Sequence, residues 1–543
     1  MNWIKRGSEN SVEEYFLNRV GTPQEADKEE TFEIPGIAEF VDFIRNNRDA
    51  EYVVIGDYDA DGVTASAVMK IGLEQFFRLS GIKNTVTCRI PKRFSEGYGI
   101  SDKVIDDIPK GCVVITVDNG ISAIEEIKRL KEEGDTVLLT DHHLPVVIEG
   151  KTVLPGADVL IDPHVKDGGF KDYCGAGIAF KIMQTLLPEN DPVLPLLNAY
   201  AAIGTIADIV PLVKENRTIV RRGLEVLNRR SGILTRGLKY LIAGLKFWDR
   251  EIESDTVAFY IAPALTAVSR LSDTGAVKAL ELIIDNSEDT AKEKAGFLIS
   301  ENEKRKAVVE KAAKEALKAP ELDGKEETDF PVMIKTDALE GVIGLIASRL
   351  CEKFRGPAIV FTRNEYDKTK LTGSARSMEN CHIKELLDRH REFFLRYGGH
   401  AGAAGCSINA DSFDGLKAAL RDDLREVKPV GKFYDLELEP EDAMEAYISM
   451  QRYKPFGEGN EEPVFHVKKR ADRWMLMGSG DEHIKFIFKG MEAVMFHAAD
   501  RFDTAHMEER PVIDVYGRLS LNDFRGVKTP QIKAEDIIVN KPS

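Results

Sequence analysis

Between residues 37 and 165 the chain alternates short apolar runs with stretches whose apolar positions recur at helical spacing. That is the pattern of βαβ units and a parallel sheet. Runs at 52–56, 112–117, 136–140 and 158–161 read as buried strands, and each leads directly into an acid: Asp57, Asp118, Asp141 and Asp162. A fifth acid, Asp208, follows the helical stretch 198–207. Around 285–320 alanine, lysine and glutamate dominate, with Ala295, Leu298, Val309, Ala312 and Ala316 at rough helical spacing. This predicts a long helix, about 40 Å at about 1.5 Å per residue, that ends at Pro320 and separates two domains. From 331 a second βα pattern starts (PVMIKT, a helix over 344–353, then PAIVFT) and closes near GGHAGAAGCSI at 398–408. Past about 430 the texture becomes short alternating strands with little helix, as in a small β-barrel.

The expected fold is therefore α/β. It has a polar lead-in at 1–36, a parallel-sheet domain at 37–284 and a connecting helix at 285–325. A smaller α/β domain follows at 326–428 and a β-barrel at 429–543. A length of 543 residues agrees, since roughly 150 residues per domain gives three to four. The net charge of −17 excludes a protein that binds nucleic acid by chain-wide positive charge. It leaves room for a nucleic-acid enzyme, because a metal site needs carboxylates and a basic groove can be local. Residues 451–543 hold 15 basic and 15 acidic side chains, so the acidity lies upstream. The six cysteines are scattered, without a CxxC pair, and read as reduced core thiols. The start carries no apolar signal region, and no stretch approaches about 18 consecutive apolar residues. A soluble cytoplasmic chain without membrane association is expected.

Acids at the carboxyl ends of parallel strands converge on the crevice where such sheets bind ligands. One of them alone is ordinarily a helix N-cap. Four in succession, one within Asp141-His142-His143, would repel one another and raise their own pKa values. Cations resolve that conflict. Asp57-Tyr58-Asp59-Ala60-Asp61-Gly62 also resembles the opening of a calcium EF-hand loop, but loop position 12 is Val68 and an apolar run precedes it. Hard carboxylates with one or two imidazoles suit manganese better than calcium, magnesium or zinc. Ligands for two ions would support in-line phosphoryl displacement, with a second histidine free to act on a phosphate oxygen.

Four motifs, IGDYDADGVTA (55–65), VDNGIS (117–122), TDHHLP (140–145) and IGTIADIVPL (203–212), carry a resemblance. In this order and spacing they resemble the DHH phosphoesterase superfamily and, within it, the RecJ-like single-stranded-DNA exonucleases. The resemblance covers the chain from about residue 37 onward. It implies that Asp57, Asp59, Asp118, His142 and Asp208 are metal ligands. His143 would face the scissile phosphate, and Asp61 and Asp141, ligands or groups behind them, complete the catalytic set. Two manganese ions are expected, magnesium being the alternative. Further RecJ-like stretches are PKRFSEGYGI (91–100), YCGAGIAFKI (173–182), GSARS (373–377), GGHAGAAG (398–405) and PFGEGN (455–460). The resemblance implies that Arg93, Arg270, Ser374, Arg376, Gly399 and His400 engage substrate, Arg93 and Arg270 at a terminal 5′ phosphate. By the same resemblance the 326–428 region is a DHH-associated domain and the barrel an OB-fold. In the barrel Lys468, Lys469, Arg470, Arg473 and Trp474, with Phe486, Phe488, Tyr516 and Phe524, are candidates for strand binding, only a minority of the aromatics being expected outside the core.

The chain departs from the RecJ-like pattern at Thr266, Ser269, Ala338-Leu339 and Glu461. None is an expected metal ligand, so these departures bear on recognition of the strand. The implied activity is 5′→3′ hydrolysis of single-stranded DNA to mononucleotides in repair and recombination, by a monomer. A helicase and a single-strand-binding protein are the candidate partners. The alternatives are a DHH phosphodiesterase acting on oligoribonucleotides, cyclic dinucleotides or pyrophosphate, and a non-catalytic DNA-binding scaffold.

Overall fold

The computed structural model describes residues 3–148, 150–166, 168–230, 232–322, 330–364, 367–524 and 526–540. The chain forms two compact units: Thr31–Val210 with Ile219–Val430, and Met1–Glu30 with Pro211–Thr218 and Gly431–Ser543.

In the larger unit five parallel strands lie in the order Val86–Arg89, Tyr52–Ile55, Val113–Val117, Thr136–Thr140, Val159–Ile161. Tyr52–Ile55 and Val113–Val117 are buried at every position. A strand covered on both faces has no polar side to alternate with, which is why these segments read as continuous apolar runs. Register pairs Ile55 with Thr116, Val117 with Thr140, and Thr140 with Ile161. The strand ends therefore finish level and deliver Asp57, Asp118, Asp141 and Asp162 to one edge. The strand Val86–Arg89, absent from the expected set, is an edge strand with one buried residue in four, too polar to stand out. A short hairpin, Val146–Ile148 against Lys151–Val153, follows the third motif and was also not expected.

The helix Ala60–Leu79 is buried over most of its surface and packs between Gly175–Leu186 and Leu194–Ala207. The predicted long helix is Glu288–Ala316, 29 residues, about 44 Å long. It buries one stripe, including Ala291, Ala295, Leu298, Val309 and Ala312, against helices of both α/β regions. Residues 323–329, where it was expected to hand over to the next domain, lie outside the described residues.

The second sheet runs Phe394–Gly399, Ala403–Asn409, Lys370–Arg376, Ala358–Arg363, Val332–Thr336, with only the last pair parallel. Along Lys370–Arg376 burial alternates strictly, so Leu371, Gly373 and Ala375 face the core. Ser374 and Arg376 share the opposite face.

The smaller unit is a seven-stranded sheet in the order Leu436–Glu437, Val464–Arg470, Val512–Phe524, Val527–Asn540, Met491–Met495, His483–Phe488, Arg473–Met477. It encloses Phe465, Val467, Ile484, Phe486, Val515 and Ile532. The reading of residues 1–36 as a lead-in differs from the structure. Trp3–Lys5 pairs in parallel with Lys432–Tyr434. The helix Val12–Val20 buries Tyr15 and Phe16, the latter stacked 4.3 Å from Tyr453 and 5.7 Å from Phe456. Trp3 stacks on Tyr516 at 4.5 Å and donates to Asp536 at 3.1 Å. A few aromatic anchors within a polar segment are too sparse to register as periodicity. Phe16→Ala should therefore lower unfolding stability by about 3–5 kcal/mol, as in a core. Leu17→Ala, at an exposed neighbour, should change it by less than about 0.5 kcal/mol. Equal denaturation midpoints for the two variants would contradict this assignment.

Candidate metal centre

Asp57 lies two residues beyond Tyr52–Ile55 and is 1% exposed; its Oδ1 is buried without a hydrogen-bond partner. Asp59 is the N-cap of Ala60–Leu79, one oxygen accepting from the Gly62 N–H at 2.9 Å. The capping role and a ligand role coexist, because the cap occupies Oδ1. Asp61, in the first turn, accepts from the Gly175 and Ala176 N–H groups at 2.6 and 2.9 Å. Those are the first residues of Gly175–Leu186, so Asp61 satisfies two of the N–H groups that a helix start leaves without intrahelical partners.

Asp118 adopts left-handed backbone with φ 61°, a conformation that costs of order 1–3 kcal/mol for a non-glycine residue. The adjoining Asn119 side chain fixes the turn by donating to the carbonyls of Ile55 at 3.1 Å and Val117 at 2.8 Å. Two small residues allow the crowding. A Cβ on Gly175 would lie 2.5 Å from that of Asp118, and one on Gly204 would lie 2.5 Å from Asp61 Oδ1.

His142 Nε2 is 3.0 Å from Asp118, 3.7 Å from Asp208 and 3.9 Å from Asp61. Three overlapping groups bring their ligand atoms within 4.8 Å: Asp57-Asp59-Asp118, Asp61-His142-Asp208 and Asp118-His142-His143. Burial first, then neighbouring carboxylates, pushes Asp57, Asp59, Asp118 and Asp208 above the ordinary carboxylate range. Burial, with His143 adding to it, holds His142 below its usual value and keeps the imidazole neutral, as a ligand must be. An orphaned buried oxygen, carboxylates that cannot all ionise and a neutral imidazole together fit a divalent cation.

His143 is placed differently. Burial would lower its pKa, but its 2.7 Å bond from Nδ1 to Asp141 and the charges of Asp141, Asp208 and Asp59 raise it to about 9. Its side chain is 45% exposed, so the protonated ring reaches the cleft. Asp141 is fully engaged: Oδ1 also accepts from the His142 N–H, and Oδ2 from the Ile121 N–H at 2.9 Å. Burial alone would raise Asp141, yet these bonds hold it below the usual range. Of the three residues expected to complete the catalytic set, Asp61 and Asp141, read as ligands or groups behind them, thus have their oxygens bonded to backbone N–H groups, and His143 faces outward. Asp162 stands apart: one oxygen accepts from the His164 N–H at 2.7 Å, and burial raises it to about 7.

Tyr98 was not singled out from the sequence, although it lies in the 91–100 stretch. Its hydroxyl donates to the Asp118 carbonyl at 3.1 Å and sits 3.2 Å from His143 Nδ1.

Of the residues expected to engage substrate, Arg93 lies 4.7 Å from the Tyr58 ring centre. The adjacent Phe94 and Ser95 N–H groups donate to Asp273. Arg270 ends the helix Ala262–Leu271 and donates to the Gly341 carbonyl at 3.4 Å, which joins the two α/β regions of this unit. Arg376 donates to Ser374 Oγ at 3.0 Å. None of the three arginines makes an ion pair among the described residues. Burial, then the like charge of Arg93, Arg305 and Arg376, lowers Arg270 to about 9; burial and then Arg93 lower Arg376. His400 is lowered by burial and then by Arg376 and His143, so it lies within the same field. Gly399, at an exposed strand end, adds backbone only. Thr266 and Ser269 spend their hydroxyls on helix carbonyls, those of Ala262 and Thr266. Leu339 is an exposed N-cap without a side-chain bond.

In the smaller unit Phe486, Phe488 and Tyr516 are buried and unavailable for stacking. Lys468, Lys469 and Arg470 are paired with Asp514, Glu439 and Glu508. Trp474 donates to the Glu508 carbonyl, and the Phe524 side chain lies outside the described part. The exposed groups among the described barrel residues include Phe496 and Met475, at 52% and 46%, and Arg473.

Family models match in three places: the DHH family N-terminal domain at 51–207, the DHHA1 domain at 329–426 and the RecJ OB domain at 434–536. Against the single-stranded-DNA-specific exonuclease RecJ of Salmonella typhimurium the chain is 30% identical, covering 93% of this chain and 90% of that protein. The chain belongs to the RecJ family. It is 33% identical to the Bacillus subtilis RecJ over 95% of its own length, and spans 65% of the length of that relative. The crystal structure of Thermus thermophilus RecJ with Mn2+ superposes with a TM-score of 0.79 at 26% identity, over 97% of this chain and 75% of that one. A second Thermus thermophilus RecJ structure holds Mg2+. The fold is that of RecJ, with a DHH domain, a DHHA1 domain and an OB domain, and the acidic centre fits a divalent metal.

Asp118→Asn tests the electrostatics, since asparagine tolerates left-handed backbone. The Asp118 carboxyl binds its proton more tightly folded than unfolded, so its charge destabilises the metal-free native state as pH rises through the folded pKa. With chelator, Asp118→Asn should melt above the wild type at mildly alkaline pH, and the gap should close as pH falls. Manganese at about 100 times its Kd should stabilise the wild type by about 2.7 kcal/mol and the variant far less. Equal stabilisation of both would contradict the ligand assignment.

Proposed function

We propose that this RecJ-family chain is a manganese-dependent exonuclease that hydrolyses single-stranded DNA from the 5′ end, releasing mononucleotides for repair and recombination. The observation that carries the reading is the pairing, in one unit, of a carboxylate cluster that requires cations with three arginines that lack acidic partners. Such a cleft complements a phosphodiester chain with a charged terminus. Asp57, Asp59, Asp118, His142 and Asp208 would hold two ions, magnesium serving as the alternative to manganese. When bound, the ions supply charge neutralisation at phosphorus and activation of the attacking water.

The remaining work belongs to side chains. Asp141 accepts from Nδ1 of the protonated His143 and fixes the direction of its ring, and Tyr98 buttresses the same ring against the Asp118 backbone. Protonated His143 donates to a phosphate oxygen, where negative charge increases during displacement. Arg93, Arg270, Ser374 and Arg376 hold the 5′ phosphate, with His400 beside them. The separation between that anchor and the metal ligands sets the length of the released unit.

The names of the relatives support single-stranded DNA as substrate. A helicase and a single-strand-binding protein as partners, a monomeric state and a cytoplasmic location complete the proposal. No described helix is long and apolar enough to cross a membrane, and the six cysteines are free thiols. The small-substrate alternative is disfavoured by the DHHA1 and OB domains. The scaffold alternative is disfavoured by an intact ligand set.

Digestion of end-labelled single strands with manganese tests the reading. A 5′ label should leave early as mononucleotide while a 3′ label stays on shortening fragments, and His142→Ala should abolish both. Arg376→Gln should raise KM for 5′-phosphorylated strands about tenfold or more, the scale of a lost charged hydrogen bond. It should change 5′-hydroxyl strands little. Preference for RNA or a dinucleotide, or release from the 3′ end first, would overturn the proposal.

A further inference from the structure

Apart from the metal centre, the larger unit exposes a cluster of aromatic rings that the hydrolytic residues do not use. Phe259 and Tyr260 are 67% and 44% exposed. They sit in a π-helical turn, Val257–Ile261, that runs directly into Ala262–Leu271. Such turns are rare and recur at functional sites. Phe247 packs edge-on to Tyr260, ring centres 4.7 Å apart. The next residue, Trp248, is half-buried, with the Arg230 guanidinium 5.9 Å from its ring centre. Arg230 also braces this loop, donating to the carbonyls of Phe247 at 2.9 Å and of Arg250.

The charge of the segment that leads up to the rings runs against that of the chain. Residues 219–250 carry eight Lys and Arg against two Asp and Glu, in a protein of net charge −17. Arg236 pairs with Glu288, and Arg221 and Arg229 with Glu225. Lys239, Lys246 and Arg250 make no ion pair among the described residues. Asp249, Glu251, Glu253 and Asp255 flank the cluster along the chain, so residues 219–260 carry eight Lys and Arg against five Asp and Glu.

We propose that this surface is an auxiliary binding site for single-stranded nucleic acid. Bases stack on Phe259, Tyr260 and Trp248, and Lys246 and Arg250 meet the phosphates. Exposed ring faces interleaved with unpaired cations are the chemistry of sequence-independent single-strand binding. A purely apolar protein contact would not need uncompensated cations concentrated in an acidic chain.

The π-helical turn and Arg270 belong to one continuous helical run. Eleven residues separate Phe259 from Arg270, about 16 Å along the axis at about 1.5 Å per residue. A strand anchored near Arg270 reaches the cluster only if it is long enough, so the site selects for long substrates. The inference rests on the reading that the cleft digests single strands.

The test compares KM for strands of about 5 and about 40 nucleotides, below and above the site sizes of about 4–16 nucleotides typical of such binders. Phe259→Ala, Phe259→Leu and Arg250→Gln are made in the full chain. Each should raise KM for the long strand about tenfold, the scale of one lost base stack, and leave kcat and the short-strand KM unchanged. Phe259→Leu, which keeps apolar bulk but not the ring face, should match Phe259→Ala. An unchanged long-strand KM, or equal increases for both lengths, overturns the inference. If the wild type digests neither strand, the exonuclease reading fails. Fluorescence anisotropy with the long strand then still decides this site, because weaker binding by all three variants supports it and unchanged binding overturns it.

Discussion

Like-charge repulsion among carboxylates taken out of water is the constraint on which the rest of the larger unit depends. Asp57, Asp59, Asp118 and Asp208 are drawn together and pushed above their ordinary pKa values by burial and by one another. A fold gains nothing from such an arrangement by itself. It persists because strand register, two glycines and a strained turn at Asp118 leave the acids no room to separate. A bound cation reverses the sign of the interaction, so the stability given up in the metal-free state is recovered in the loaded one.

The positive side of the cleft obeys the same logic with opposite sign. Burial and then the charge of Arg93 lower the proton affinity of both Arg270 and Arg376, and an anion such as phosphate would relieve them. The contact of Arg270 with Gly341 ties this group to the join between the DHH and DHHA1 regions.

Much of this was legible in the sequence because buried parallel strands must be apolar and must end somewhere. Runs closing on Asp57, Asp118 and Asp141 were visible for that reason, as was the alanine-rich helix Glu288–Ala316. What escaped was decided by contacts distant along the chain. Trp3 and Phe16 looked like parts of a polar lead-in, since their partners Tyr516 and Tyr453 lie hundreds of residues away. Tyr98 carried no role until its hydroxyl was seen beside His143. Asp61 and Asp141 read as ligands or as groups behind the ligands, and only the backbone N–H groups around them show that their oxygens are occupied. In the barrel, composition revealed aromatics and cations but not direction, and Phe486, Phe488 and Tyr516 point inward.

The central claim is that buried carboxylates hold protons that divalent ions displace. Isothermal titration of manganese into chelator-treated protein, in buffers of different ionisation enthalpy, measures stoichiometry and proton release together. The account predicts two ions per chain and net proton release that shrinks as pH rises. Binding without proton release at neutral pH, or no binding to the intact cluster, would contradict it.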